Sequence, residues 1–252
     1  MTGALAIVSL GPGAPGLITP DAAKALAEAT DLVGYGPYLA RLQPAPEQRL
    51  HAFDNRTELA RAELALRLAA GGRRVALVSS GDAGVFAMAA TTFEAMEKGE
   101  PSWRGLALTV IPGISAALAA AARLGAPLGG DFCVISLSDY LKPWPVIAKR
   151  LRAAAEAGFV LALYNPASAA RPWQLGAAFA ILREVLAGTT PVAFATNVSL
   201  AEERLTLASL ATADPALAGM RTLVLIGAPS SRLIPRPAGL PWFYTPRGLP
   251  SL

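Results

Sequence analysis

The sequence predicts an α/β fold with two α/β domains, built on mixed, mainly parallel sheets. Short apolar runs of strand length alternate with Ala-rich stretches whose apolar residues recur at helical spacing. This alternation is typical of parallel strands joined by helices that cover both faces of a sheet. The chain of 252 residues has room for two domains of roughly 120 residues each, and Gly and Pro cluster between residues 123 and 130. We therefore expect domains at 1–122 and 123–252.

The first domain opens with the strand Ala4–Val8, which ends at the loop Gly11-Pro12-Gly13. Three more strands are predicted, at Leu32–Tyr35, Val75–Ser79 and Ala107–Ile111. Helices are predicted from about Asp21, over Arg56–Ala70 with Gly71-Gly72 as its end, over Val85–Lys98 and from about Ile114. We expect a loop to carry His51, Asp54 and Asn55.

The second domain repeats the alternation with a less regular order. The predicted strands are Phe132–Leu137, Phe159–Tyr164, Val192–Thr196, Glu203–Leu207 and Thr222–Ile226, of which Glu203–Leu207 suits an antiparallel strand. The predicted helices are Val146–Ala157 and Pro172–Ala187, the latter with Pro in its first turn. The tail from Pro235 is rich in Pro and is not expected to be helical.

Composition excludes several classes of function. The chain has 22 Lys and Arg against 18 Asp and Glu and no basic block, so nucleic acid is not indicated and a mildly basic cleft for an acidic small molecule suits it. Cys133 is the only cysteine, which excludes an internal disulfide and a thiolate metal cluster; we assign it to the core. The uncharged stretch Gly105–Ala122 is divided by Pro112-Gly113, which favours a strand, a turn and a helix over a membrane span. The N-terminus lacks the basic segment of a signal peptide, so we expect a cytoplasmic protein.

Five loops are candidates for ligand binding, because ligands of open α/β sheets bind beyond the carboxyl ends of the strands. These loops are Gly11–Gly13, Ser80–Gly84, Pro112–Ser115, Tyr164–Pro166 and Gly227–Ser231. They are nearly uncharged and match neither the Walker pattern nor Gly-x-Gly-x-x-Gly. Asp82, the one acid in the first three loops, could cap the helix at Val85 or accept hydrogen bonds from a ribose or an amine. Small neutral loops with one acid suit a zwitterionic nucleoside better than a polyphosphate.

Three of these loops together resemble the tetrapyrrole methyltransferase family. The matching segments, in order, are Leu10-Gly11-Pro12-Gly13, Ser80-Gly81-Asp82-Ala83-Gly84-Val85-Phe86 and Pro112-Gly113-Ile114-Ser115. Other segments resemble the family members that act at C-17 of a precorrin: Gly34-Tyr35-Gly36-Pro37-Tyr38, Leu163-Tyr164-Asn165-Pro166 with Arg171, Ser230-Ser231-Arg232 and Thr245-Pro246-Arg247-Gly248. The resemblance covers nearly the whole chain. It departs at Leu249, where an aromatic residue is expected.

The resemblance implies an enzyme of the class III methyltransferase type, a homodimer with S-adenosylmethionine folded in a cleft between two α/β domains. It implies methylation of precorrin-3B at C-17, with contraction of the macrocycle to precorrin-4 and release of S-adenosylhomocysteine, as a step of cobalamin biosynthesis. One alternative is an enzyme of the same fold that acts on another precorrin or cobalt-precorrin. Another is methylation of protein or ribosomal RNA, which predicts a basic stripe that the sequence lacks. A third is a carrier that binds a tetrapyrrole or a nucleoside without turnover.

The resemblance also implies roles for single residues. Its cofactor-binding residues are Gly11, Pro12, Gly13, Gly81, Asp82, Val85, Phe86, Ser115, Tyr164, Asn165, Ala195, Thr196, Gly227 and Ala228. A sulfonium methyl donor is already activated, so catalysis mainly requires proximity, and no metal is expected.

Proton transfer during ring contraction requires an acid or base, and substrate carboxylates call for cations. The loop candidates for proton transfer are Asp139, His51, Asp54 and Ser80. The candidate cations are Arg41, Lys142, Arg171, Arg232 and Arg247, each of which equally suits an ordinary surface position. Tyr140 and Trp144 could stack on the macrocycle.

Overall fold

The computed structural model describes residues 3–248. The chain divides into two compact units, one that ends at Ala116 and one that begins at Ala117. The domain limits expected from the sequence, 1–122 and 123–252, stay a prediction. Leu249, the departure from the family pattern, lies outside the described residues.

The first unit is built on a five-stranded parallel sheet. Its strands are β1 (Ala4–Ser9), β2 (Asp31–Tyr35), β3 (Arg49–Phe53), β4 (Arg74–Ser79) and β5 (Ala107–Ile111). They lie in the order β3-β2-β4-β1-β5, and every neighbouring pair is parallel. The carboxyl ends of all five strands therefore lie along one edge of the sheet.

Helices cover both faces of this sheet. They are α1 (Pro20–Glu28), α2 (Gly36–Leu39), α3 (Glu58–Ala70) and α4 (Met88–Lys98), with 3-10 turns at Pro15–Leu17 and Pro101–Gly105. Ile7 and Leu77 belong to the buried cluster that includes residues of α3 and α4, whereas Val8 and Val78 belong to the cluster that includes residues of α1 and α2. Burial of alternate residues on opposite faces explains why β1 and β4 are continuous apolar runs in the sequence.

The second unit is built on a mixed sheet. Its strands are β7 (Phe132–Ser136), β8 (Val160–Tyr164), β9 (Pro191–Thr196), β10 (Arg204–Ser209) and β11 (Thr222–Ile226), in the order β10-β9-β11-β8-β7. Only β7 and β8 are parallel; the other three neighbouring pairs are antiparallel. The mixed α/β class and the antiparallel strand near residue 203 are confirmed, but "mainly parallel" describes the first sheet and not the second.

Three helices accompany this sheet: α5 (Ala116–Leu124), which begins at the division between the units, α6 (Trp144–Glu156) and α7 (Gln174–Arg183), with a 3-10 turn at Pro215–Leu217. Residues of α6 and α7 share one buried cluster with the sheet, which includes Ile147, Phe179 and Phe194. Cys133 packs against that cluster. A small sheet of β6 (Gly125–Ala126), β12 (Arg232–Ile234) and β13 (Trp242–Tyr244) was not predicted.

Several predicted element limits were wrong for identifiable reasons. The helix predicted from Arg56 begins at Glu58, and the one predicted from Val85 begins at Met88. Arg56 and Phe86 adopt left-handed φ values of 65° and 53°, which a right-handed helix cannot contain. The helix predicted from Pro172 begins at Gln174. Within residues 3–248, no helix is long and apolar enough to cross a membrane.

Candidate functional site

Three loops meet at the carboxyl edge of the first sheet. The loops that follow β1 and β4 are joined by two backbone hydrogen bonds, from Gly11 N to the carbonyl of Gly81 (3.1 Å) and from Gly81 N to the carbonyl of Gly11 (2.8 Å). Both glycines have left-handed φ values, 65° and 66°, a conformation that glycine adopts without steric cost. The sequence reasoning that placed Gly11–Gly13 and Ser80–Gly84 at one edge is thus confirmed in geometry.

Ser9, which the sequence reasoning missed, connects all three loops. It is completely buried, and its Oγ donates to the carbonyl of Ile111 (2.6 Å) and accepts from Ala83 N (2.8 Å). A hydroxyl at the end of an otherwise apolar buried strand is the signal that could have identified it, because a buried hydroxyl needs partners.

Asp82 joins the second loop to the third. Its Oδ1 accepts from Gly84 N (2.8 Å) and its Oδ2 from Gly113 N (2.9 Å). The helix-cap alternative was wrong, because α4 is preceded by Ala87 at its N-cap. The carboxylate instead fixes the backbone of two loops and is the one acidic group that the three loops carry.

Arg41 and Ser80 hold the first loop from its other side. The Nη2 of Arg41 donates to the carbonyls of Leu10 (3.2 Å) and Gly13 (3.0 Å), and its Nη1 donates to Ser80 Oγ (3.4 Å). Burial lowers the pKa of this guanidinium from its ordinary value. Arg41 was predicted to bind substrate; the structure places it at the loops predicted to bind cofactor.

The other predicted residues of these loops differ in exposure. Phe86 is half-exposed, at 51%, in the left-handed conformation that is unusual for a bulky residue. Ser115 is buried, and Pro12 and Val85 are partly exposed.

In the second unit, Tyr164 and Asn165 follow β8. The Tyr164 hydroxyl accepts from Ala117 N, in the first turn of α5 (2.9 Å). Asn165 has a left-handed φ of 53°, and its Nδ2 donates to Ser136 Oγ at the end of β7 (2.9 Å). Arg171 donates to the carbonyl of Asn165 (3.1 Å). A cation predicted to bind substrate is therefore bonded to a loop predicted to bind the cofactor.

The same edge of the second sheet carries Thr196, at the end of β9. Its hydroxyl bonds to that of Thr222, at the start of the antiparallel β11 (2.8 Å), and the neighbouring Ala195 is buried inside β9. An open cavity of about 360 Å³ includes Thr196, Asn197 and Thr222 in its lining. The buried Oδ1 of Asn197 has no hydrogen-bond partner among the described residues.

Asp139, a predicted acid or base, lies in the loop after β7. Both of its oxygens accept from Nε2 of Gln174 (3.1 Å each), and Gln174 is 1% exposed. Lys142 lies in the same loop, where burial, together with the charge of Arg150, lowers its pKa. Tyr140 is highly exposed, whereas the Trp144 ring packs edge-on against another tryptophan of the unit at 4.9 Å.

Gly227 and Ala228 lie at the opposite edge of the second sheet from Tyr164, and their predicted role in cofactor binding stays a prediction. Thr222 pairs with Thr196 and Ile226 with Val192, and Gly227 N donates to the carbonyl of Pro191, at the start of β9 (2.9 Å). The reversed direction of β11 is the cause. The two predicted cations on this side, Arg232 and Arg247, are exposed and lie in or beyond the small sheet.

His51 lies in β3 and not in a loop. Its Nε2 is 2.9 Å from Oδ1 of Asp31, whose Oδ2 accepts from Arg73 Nε (2.6 Å). Asp31 begins β2 and Arg73 precedes β4, so this ion-pair network lies at the amino edge of the parallel sheet. His51 is therefore engaged away from the loops described above, while Asp54 is exposed after β3.

A model of the tetrapyrrole (corrin/porphyrin) methylases matches residues 4–214. The chain belongs to the tetrapyrrole methylases. Membership of this family makes the protein a methyltransferase, and tetrapyrrole methylases use S-adenosylmethionine. Within residues 3–248, no group of three His, Cys, Asp or Glu residues could hold a metal ion.

Several relatives share most of the chain. A precorrin-3B C(17)-methyltransferase from Sinorhizobium sp is 53% identical over 98% of this chain and 97% of its own. The cobalamin biosynthesis protein CobIJ of Mycobacterium bovis is 49% identical over 92% of this chain, which spans only 46% of that relative. A probable cobalt-factor III C(17)-methyltransferase from Salmonella typhimurium is 40% identical over 88% of this chain and 92% of its own.

Solved structures agree with the fold. The crystal structure of the methyltransferase CobJ is 49% identical, covers 97% of this chain and all of its own, and superposes with a TM-score of 0.92. A uroporphyrin-III C-methyltransferase from Thermus thermophilus, solved with S-adenosyl homocysteine, is 22% identical and covers 89% of this chain and 92% of its own with a TM-score of 0.67. The latter identity supports a shared fold alone.

Proposed function

We propose that this methyltransferase transfers a methyl group from S-adenosylmethionine to C-17 of precorrin-3B, with ring contraction to precorrin-4, in cobalamin biosynthesis. The observation that carries the proposal is the 53% identity, over 98% of this chain, to a protein named precorrin-3B C(17)-methyltransferase. The predicted homodimer, the cytoplasmic location and the placement of the cofactor between two domains stay predictions.

The three loops of the first unit suit the proposed cofactor. A Cβ built on Gly81 would have no atom nearer than Ser115 Cα and Ala116 N, both at 4.0 Å, so this backbone is open to close approach by a ligand. The loops offer neutral backbone groups and one carboxylate, that of Asp82, which is compatible with a cationic sulfonium. When bound, the cofactor supplies an activated methyl group.

The residues of the chain contribute to catalysis mainly by positioning the methyl donor and the acceptor. The bonds made by Ser9, Asp82 and Arg41 fix the loops before any ligand arrives, and a fixed geometry lowers the entropic cost of bringing donor and acceptor together. In the second unit, Tyr164, Asn165 and Thr196 share one edge and are the residues we assign to the cofactor there.

For the ring contraction we propose Asp139 as the group that holds or moves a proton. Its carboxylate accepts both bonds from a single Nε2 of the buried Gln174, which fixes its orientation and leaves lone pairs for a substrate proton. Ser80 is the alternative in the first unit, although its hydroxyl already lies within 3.5 Å of Gly11 O. His51 is the weakest of the three because its ring is bound to Asp31.

A second candidate is the same methylation on a cobalt-bound macrocycle. It is favoured by the 40% identity to a protein named probable cobalt-factor III C(17)-methyltransferase. The deciding experiment incubates the protein with S-adenosylmethionine and either precorrin-3B or its cobalt-bound counterpart, and follows product mass and absorbance. A gain of one methyl group with a changed chromophore on the metal-free substrate supports the first proposal, and a gain only on the cobalt-bound one replaces it. S-adenosylhomocysteine in place of the donor is the control. Methyl gain on neither substrate contradicts both.

A further inference from the structure

Two arginines at the carboxyl edge of the first sheet are buried to different degrees and have no carboxylate partner. Arg61, on α3, is only 4% exposed, and Arg41, which follows α2, is partly buried. Neither guanidinium takes part in an ion pair within residues 3–248. Because a charge removed from water loses its hydration, buried cations are ordinarily paired. These two positions therefore carry positive charge that the described part of the chain leaves uncompensated.

Arg61 is held by neutral groups alone. Its Nη2 donates to the carbonyl of Asp54 (3.1 Å) and its Nη1 contacts Sδ of Met88 (3.5 Å), while its buried Nε has no partner among the described residues. Its guanidinium lies over the ring of Tyr35, 6.0 Å from the centroid. Glu58, three residues earlier on α3, is exposed and forms no ion pair with Arg61. Burial lowers the pKa of Arg61, and the charge of Glu58 raises it by a smaller amount.

Two tyrosines connect the two arginines. The rings of Tyr35 and Tyr38 meet edge to face with centroids 5.2 Å apart, and ionised Tyr38 would raise the pKa of both Arg41 and Arg61, against the larger lowering by burial. These four residues, Tyr35, Tyr38, Arg41 and Arg61, are called the Tyr–Arg cluster below. Tyr35 ends β2 and Arg41 contacts the loop after β1, so the cluster lies at the same edge as the three loops.

We propose that the Tyr–Arg cluster binds a side-chain carboxylate of the tetrapyrrole substrate. Arg41, the more accessible cation, contacts the carboxylate, and Arg61 is a positioning residue that holds Tyr35 and supplies positive charge behind it. Guanidinium groups form strong charge-assisted hydrogen bonds with carboxylates, and a carboxylate would supply the negative charge that both arginines lack. This inference rests on the proposed function and adds Arg61, which the sequence reasoning did not select.

The test uses uroporphyrin III, a tetrapyrrole with carboxylate side chains, titrated against the intact protein by quenching of tryptophan fluorescence. Arg41→Gln removes the charge and leaves one amide donor on a shorter side chain, and Arg61→Met replaces a buried cation by an apolar chain of similar length. We expect each of the two variants to weaken uroporphyrin binding by roughly tenfold or more, because a charged hydrogen bond or its supporting charge is lost.

The matched control is Arg183→Gln. Arg183 also donates to two carbonyls, of Leu210 and Ala213, and lies over a phenylalanine ring at 5.7 Å, but it is exposed, and its variant should bind as the wild type does.

Thermal unfolding distinguishes charge from structure. We expect Arg61→Met without ligand to be at least as stable as the wild type, because an unpaired buried charge is removed, and Arg61→Lys to recover part of the uroporphyrin affinity. With precorrin-3B as substrate, Arg61→Met should raise KM more than it lowers kcat.

Unchanged uroporphyrin binding in both Arg41→Gln and Arg61→Met overturns the inference. If Arg61→Met does not fold, the binding of Arg61→Lys and Arg41→Gln decides. S-adenosylhomocysteine is titrated in parallel. A wild type that binds neither ligand overturns the proposed function together with the inference, whereas a wild type that binds both, with variants that match it, overturns the inference alone.

Discussion

The two five-stranded sheets of this methyltransferase assemble their loops in different ways. In the first, all strands are parallel, so the loops after β1, β4 and β5 meet at one edge, where two backbone bonds between Gly11 and Gly81 and the side chains of Ser9 and Asp82 join them. In the second, β9 and β11 run in opposite directions, and the edge that carries Tyr164 joins strand ends to strand starts through side chains such as Thr196 and Thr222. A parallel sheet thus concentrates its loops, whereas an antiparallel sheet distributes them over two edges. Four substitutions test this difference.

The largest effect is expected for Asp82→Ala, at the carboxyl edge of the first sheet. It removes the acceptor of two amides, of Gly84 and Gly113, so the free energy of unfolding should fall by about 2 kcal/mol. Displaced loops should reduce the rate of methyl transfer by roughly a hundredfold. Denaturant unfolding and initial rates with S-adenosylmethionine measure both. Asp21→Ala, an exposed acid in the first turn of α1, is the control, and an Asp82→Ala enzyme as fast as the control would contradict the importance assigned to the loops.

A smaller effect separates the two edges of the second sheet. Thr196→Val breaks the hydroxyl pair with Thr222 and should weaken S-adenosylhomocysteine binding by roughly fivefold, about 1 kcal/mol. Gly227→Ala places a Cβ 2.8 Å from that of Ser231 and should lower stability by about 1–3 kcal/mol without changing this affinity. Isothermal titration and thermal unfolding test the pair. The reverse pattern, with affinity lost in Gly227→Ala alone, would support the cofactor role that the resemblance implies for Gly227.

The smallest effect on activity is expected at the amino edge of the first sheet. Asp31→Asn should leave methyl transfer unchanged but lower the free energy of unfolding by about 2 kcal/mol, because Arg73 and His51 lose a buried partner. Burial raises the pKa of Asp31, but the hydrogen bonds from Arg73, His51 and Thr30 outweigh it and lower the pKa below the ordinary 3.8. A depressed folded pKa stabilises the fold above about pH 4, and this stability is lost as pH falls through the folded value. Unfolding measured from pH 7 to pH 3 should therefore show the wild type converging on Asp31→Asn, and parallel curves would refute the assignment.

Four of the five strands of the first sheet, all except β3, were predictable from the sequence because they are largely apolar and Gly or Pro follows closely after each. Segments such as Ala107–Ile111 coincide with the observed strand. His51 was misplaced because β3 is an edge strand with exposed residues and no apolar run. Asp82 could be singled out as the one acid among neutral loops, but its two amide partners depend on contacts between loops that are distant in sequence.

The second sheet was less predictable because a strand's direction is not encoded in its own residues. Thr222–Ile226 was recognised as a strand, yet nothing in its residues indicates that the loop after it leaves the sheet at the edge opposite Tyr164. Arg61 was missed for a different reason. An arginine in the middle of an amphipathic helix is normally a surface residue, and only its 4% exposure in the structure distinguishes it.

The reversed direction of β11 has a practical consequence for labelling. Because β11 leaves the sheet at the edge opposite Thr196 and Tyr164, the chain enters β12 from that opposite edge. The connection between β12 and β13, from Pro235 to Pro241, is largely exposed. A fluorophore engineered there would report on the protein, and a surface attachment there would immobilise it. Neither would alter the edge of the second five-stranded sheet that carries Tyr164 and Thr196.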